Sequence, residues 1–178
     1  MTATHKAQAQ KVFKDGELES LVDNFIRGGN TLKSLKGVDD TTMNAIYSVA
    51  YNLYNSGKYE EAHKVFQFLC FFDHFQKKYW MGLGACRQML KLYQEAVAAY
   101  SFAALLDIND PKPPLHAADC FLAMGNREAA ESALHASIKW SGNNEEYKSL
   151  KERAEGILGI LKKSGSAKNS KGKTKKSK

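Results

Sequence analysis

No stretch of this sequence approaches the eighteen or so uncharged apolar residues that a membrane-crossing helix requires. The first twenty residues, MTATHKAQAQKVFKDGELES, also lack the apolar run of a secretory signal. The expectation is a cytoplasmic chain with no membrane insertion. Cysteine is scarce: Cys70, Cys86 and Cys120 are odd in number, have no CxxC spacing and fall in apolar helical segments, which argues against a disulfide framework or a zinc site. Signatures of catalysis are missing too, with no Gly-rich phosphate loop, no HExxH and no GxSxG. The five histidines (His5, His63, His74, His116, His135) share no metal-ligand spacing and read as surface or helix-boundary residues. These gaps point away from an enzyme and from any cofactor.

Acid is absent from Lys162 onward, where eight lysines gather in KKSGSAKNSKGKTKKSK. The net charge of +7 and pI near 9.2 therefore belong to the tail. Residues 1–161 hold eighteen basic against nineteen acidic side chains, a net of −1, so the body is close to neutral and its charge gives no argument for a nucleic-acid partner. Having only one alanine and no larger apolar side chain, residues 162–178 are expected to be disordered, as are residues 1–16. What remains, at 43% apolar and 25% charged residues overall, suits one soluble domain.

That domain shows a repeat. Tyr59, Ala62 and Phe66 recur as Tyr93, Ala96 and Tyr100, and again as Arg127, Ala130 and Leu134, both offsets being 34. Upstream, Ile46, Val49 and Ala50 recur as Trp80, Leu83 and Gly84, then Pro114, Ala117 and Ala118. Gly57 and Gly125 stand where a helix must stop, and Lys91 replaces glycine in the middle unit. This is the bulky-and-small order of tetratricopeptide (TPR) units, each a helix, turn and helix of 34 residues. The fold expected is all-α: a right-handed superhelix of three TPR repeats over residues 43–76, 77–110 and 111–143, within a segment 38–143. Pro111, Pro113 and Pro114 open the third unit, where proline costs a helix no bond.

Flanking segments complete the design. In residues 17–37, Leu18, Leu21, Val22, Phe25 and Ile26 form one helical stripe that Gly28-Gly29 ends. Its burial partner is either the first repeat or a second copy of the chain. A loop-like segment with Leu32 and Leu35 follows, and Asp39, Asp40 and Thr41 offer caps for the next helix. Residues 144–161 read as a capping helix through Tyr147, Leu150, Ala154, Ile157, Leu158 and Leu161.

Stacked helix pairs build a concave surface that holds extended peptides or helices. Positions two, five, nine, twelve and thirteen of each unit line it. The first unit presents Asn44, Tyr47, Tyr51, Tyr54 and Asn55; the second Lys78, Met81, Ala85, Gln88 and Met89; the third Lys112, Leu115, Asp119, Leu122 and Ala123. Ile46, Val49, Ala50 and Leu53 are expected to pack inward, which frees the three tyrosines for a client. Where other TPR domains clamp a carboxylate with lysine, arginine and asparagine, this chain has Tyr47, Tyr51, Gly82, Lys112 and His116, and only Lys112 fits. Recognition should therefore be mainly apolar.

With a leading amphipathic helix ending in Gly-Gly, the linker TLKSL, and the string YxxGxYxxAxxxFxxL from Tyr54 to Leu69, the chain resembles the class II chaperones of bacterial type III secretion. The resemblance spans about Glu17 to Leu161. It implies a non-enzymatic chaperone that holds an extended segment of a hydrophobic translocator protein in its groove, keeping it soluble and unassembled until secretion. It also implies homodimers through the N-terminal region, with Leu18, Leu21, Val22, Phe25 and Ile26 at the contact. The family is typically acidic, and the lysine tail departs from its pattern. Two other readings fit the residues: a generic TPR scaffold or regulatory adaptor, and a protein acting through the lysine tail.

Overall fold

The computed structural model describes residues 31–173, with side chains through Lys163. A left-handed residue recurs every 34 positions: Gly57 (φ 77°), Lys91 (φ 62°) and Gly125 (φ 74°). At each, the left-handed residue donates its N–H three residues back and the next residue donates five back, as in Gly57 to the Tyr54 carbonyl (3.0 Å) and Lys58 to the Leu53 carbonyl (2.9 Å). This pair of bonds closes a helix and turns the chain into the next one. The helices so delimited are α1 (Leu32–Leu35), α2 (Asp40–Asn55), α3 (Tyr59–Phe72), α4 (Lys77–Met89), α5 (Tyr93–Leu106), α6 (Lys112–Ala123) and α7 (Arg127–Ser141). A 3₁₀ turn, Glu145–Tyr147, then leads into α8 (Lys148–Lys173). No strand occurs among the described residues.

Each helix packs chiefly on its sequence neighbours, as a solenoid requires. The 34-residue register is buried where expected: Ala62, Ala96 and Ala130 are each 0% exposed, and Phe66, Tyr100 and Leu134 are 2%, 1% and 0% exposed. Small residues let the paired helices cross closely while the bulky ones fill the gap beside the crossing. A Cβ on Gly84 would stand 2.6 Å from the Tyr100 ring, so that crossing needs glycine. Polar bonds tie equivalent positions of successive units, with Lys78 Nζ donating to Asn44 Oδ1 (2.7 Å) and Arg153 to Asp119 Oδ2 (2.8 Å). Lys77 bridges Asp107 (2.7 Å) and the buried Asp110 (2.8 Å).

Several expectations need correction. Leu32–Leu35 is a helical turn and not a loop, because Thr31 and Ser34 cap each other's backbone N–H groups reciprocally. Asp39 does cap α2, but the helix begins at Asp40, ahead of the repeat boundary. Val49 does not pack inward; it is 54% exposed. Its equivalents Leu83 and Ala117 are covered by the unit before them, and the first unit has none before it among the described residues. The last helix passes Leu161 and runs to Lys173. Weighing ordering entropy against burial misses this, since extending a helix already nucleated by packed turns is far cheaper than starting one. The stripe Leu18–Ile26 lies outside the described residues.

Candidate functional site

The first helices of successive units, α2, α4 and α6, share one concavity. Within it lies a cavity of about 350 Å³ lined by Tyr47, Tyr51, Tyr54, Phe66, Lys77, Lys78, Met81, Gly82, Ala85, Asp110 and Lys112. Tyr47, Tyr51 and Tyr54 fall at i, i+4 and i+7 on α2, so they form one row. The row is partly core. Tyr47 meets Phe66 edge-on (5.9 Å between centroids) and lies against Tyr79 (5.9 Å), while Tyr54 meets Tyr59 edge-on at 5.3 Å. Tyr51 stacks on Tyr47 at 6.3 Å and remains 51% exposed. The row is thus held from behind by packing and open in front.

Gly82 shapes the floor. A Cβ there would sit 2.2 Å from the Phe66 ring, so the missing side chain is what lets Phe66, from the second helix of unit one, reach the cavity wall. Charge sits at the edges. Lys78 Nζ lies 4.8 Å from the Tyr47 ring centre and Lys112 Nζ 5.7 Å from that of Tyr147. Burial raises the Tyr47 and Tyr54 hydroxyls above the usual phenol range, so both stay neutral and able to donate and accept.

Of the residues expected in the groove, Tyr47, Tyr51, Tyr54, Lys78, Met81 and Ala85 come together at this cavity. Asn44 is tied to it through Lys78. Gln88 accepts from the Tyr100 hydroxyl (2.8 Å), and Asp119 pairs with Arg153, so both are engaged within the protein. Asn55, Met89 (47% exposed) and the half-buried Leu122 lie outside the cavity lining. Leu115 is 2% exposed in a cluster with Ala118, Leu134, Ala154 and Leu158. Its assignment to the groove fails because this cluster, to which α8 contributes Ala154 and Leu158, encloses it. His116 likewise is no surface residue: it is half-buried and stacks on Tyr100 at 5.2 Å, and burial lowers its pKa.

Phe66, Lys77, Gly82 and Asp110 were missed. A list of first-helix positions omits a second-helix side chain such as Phe66, and the signal that could have found it is Gly82, a glycine between two groove positions. Among the described residues no group of histidine, cysteine and acids could hold a metal ion, and no helix is long and apolar enough to cross a membrane.

Comparison with known proteins gives this arrangement a context. Tetratricopeptide repeat models match residues 43–74 and 90–154. Low calcium response locus protein H of Yersinia pestis is 40% identical over 146 residues, 82% of this chain and 87% of that protein. The type III secretion translocator chaperone SycD of Yersinia enterocolitica is 42% identical, with a TM-score of 0.70 over 74% of this chain and 98% of that one. The chain belongs to the type III secretion translocator chaperones. Another structure of this kind is PcrH in complex with the chaperone binding region of PopD, 38% identical with a TM-score of 0.70 over 72% of this chain and 97% of that one. The family is one of chaperones and not of enzymes, and a translocator chaperone's TPR solenoid is the fold seen here.

Proposed function

We propose that this translocator chaperone works in the bacterial cytoplasm and holds an extended apolar segment of a translocator protein against the Tyr47–Tyr51–Tyr54 row. The observation that carries the reading is the cavity between α2 and α4, apolar at its floor and polar at its rim. Met81 and Ala85 face the tyrosine row across it, and Lys78, Lys112 and, through Lys78, Asn44 stand at its edge. PcrH, which has been solved with the chaperone binding region of PopD, supports the same use of a related chain.

Physically, the tyrosines offer broad contact at little entropic cost, and the thioether of Met81 adapts to the side chain it meets. Gly82 lets the Phe66 ring close the floor behind the tyrosine row. Holding the segment lowers the concentration of free apolar chain by mass action, and with it the rate of premature association.

Tyr51→Ala removes a half-exposed ring with no bond to the core, so the fold should survive. Binding of a fluorescent peptide from the chaperone binding region of PopD should weaken by about tenfold or more, on the order of 1–2 kcal/mol for a buried aromatic anchor. Tyr47→Ala with Tyr51→Ala should abolish it while helical content persists. Unchanged peptide affinity in that double variant would refute the groove assignment.

A further inference from the structure

The cavity beside the tyrosine row is apolar at its floor, yet four charged side chains reach its lining: Lys77, Lys78, Lys112 and Asp110. Two of the four cancel. Asp110 accepts from Lys77 Nζ through Oδ2 (2.8 Å) and from the Lys112 backbone N–H through Oδ1 (2.9 Å), and Lys77 also donates to Asp107 (2.7 Å). Lys78 and Lys112 are different. Lys78 Nζ donates to the neutral amide of Asn44 and stands over the Tyr47 and Tyr79 rings, and Lys112 Nζ stands over the Tyr147 ring. Among the described residues no carboxylate pairs with either ammonium.

Their placement follows the repeat. Asn44, Lys78 and Lys112 are 34 residues apart, so one position of successive units sets two uncompensated cations along one edge of the groove. The helices they open share this feature. Of the six repeat helices, α2, α3, α5 and α7 each hold an acid in the first turn, where the helix dipole favours it, whereas α4 and α6 hold none and start with lysine. Residues 1–161 sum to −1, so this edge also has the opposite sign to the body around it. The negative charge that the chain supplies at its other helix starts is missing where the groove lies.

We propose that the client supplies it, an inference that rests on the groove being the client's seat: the translocator segment carries an aspartate or glutamate beside its apolar anchors, and Lys78 and Lys112 read that acid. The tyrosine row and Met81 then take the apolar side chains, while the lysine edge fixes which way along the groove the segment lies. A segment with lysine or arginine at that point would meet like charge and be rejected.

Lys78→Gln with Lys112→Gln removes both charges and leaves the tyrosine row intact. At about 50 mM salt it should weaken binding of the fluorescent peptide that tests the groove by about fivefold, within the usual range for two exposed charge pairs. At 1 M salt, where charges are screened within about 3 Å, parent and variant should differ by less than about twofold. The same peptide with every aspartate and glutamate changed to its amide should lose about fivefold on the parent and nothing further on the double variant. Lys64→Gln with Lys139→Gln, exposed lysines of α3 and α7, makes the same change in net charge and should leave both affinities at parental values. Equal affinity of the two peptides for the parent overturns the proposal, as does a loss in the double variant that persists at 1 M salt or that the amide peptide shares. Failure of the groove itself reads differently: if only the lysine edge is wrong, Tyr47→Ala with Tyr51→Ala still abolishes binding of both peptides, whereas unchanged binding in that variant dismisses the groove.

Discussion

Replacing Gly82 with alanine tests how the groove floor is built. The new methyl would lie 2.2–2.6 Å from three atoms of the Phe66 ring, well inside contact distance. That ring is 2% exposed and meets Tyr47 edge-on, so relief requires moving a packed side chain by an ångström or more. Overpacking of this kind costs about 1–3 kcal/mol, and a displacement this large belongs near the top of the range. Alanine in a helix interior returns about 1 kcal/mol over glycine. The net is a loss of about 2 kcal/mol, or about 4–8 °C in Tm for a domain of this size. Urea denaturation followed by circular dichroism reads the loss. Gly156→Ala is the matched control: it lies in α8 with no atom within 4 Å of its would-be Cβ, so only the propensity term acts and it should stabilise by about 0.5–1 kcal/mol. Trimming the ring in the same protein, with Phe66→Leu, should make the two changes less costly together than their sum. If Gly82→Ala stabilises as much as Gly156→Ala does, the claim that glycine is required there is wrong.

Two further outcomes follow from single residues. Lys91 is the one non-glycine residue with positive φ among those described, at a site where the equivalent residues are Gly57 and Gly125. Lys91→Gly should therefore raise stability by about 0.5–1 kcal/mol, the relief of left-handed strain less the added freedom of the unfolded chain, and an unchanged or lowered urea midpoint would contradict this. For His116, burial lowers the folded pKa, with Asp119 opposing and Arg153 assisting. The neutral ring is favoured in the fold, so its contribution is full above the unfolded value near 6.5 and is lost as pH falls through the folded one. Urea midpoints at pH 7.5 and pH 5 should diverge more in the parent than in His116→Gln; equal losses in both would show that this ring does not carry the pH dependence.

The repeat was legible because its physics is local. A left-handed turn every 34 residues needs glycine or a tolerated substitute, and a close helix crossing needs alanine or glycine opposite a large ring. Gly57, Gly125, Ala62, Ala96 and Ala130 announce both requirements in one dimension. The tyrosine row was legible for the same reason, since i, i+4 and i+7 on one helix depend on nothing beyond that helix. Burial by a neighbouring unit is another matter. Leu115 and Tyr51 both occupy nominal groove positions, yet a cluster containing α8 side chains encloses one and leaves the other open. Val49 and Leu83 are equivalent in register, and among the described residues only Leu83 has a preceding unit to cover it. Whether a side chain on a solenoid faces a neighbour or a ligand depends on what is stacked beside it, and on reach such as that of Phe66 through the gap left by Gly82. Periodicity determined which helices pair and where each turns; only the stacking of those pairs in space decided which side chains the protein itself left uncovered.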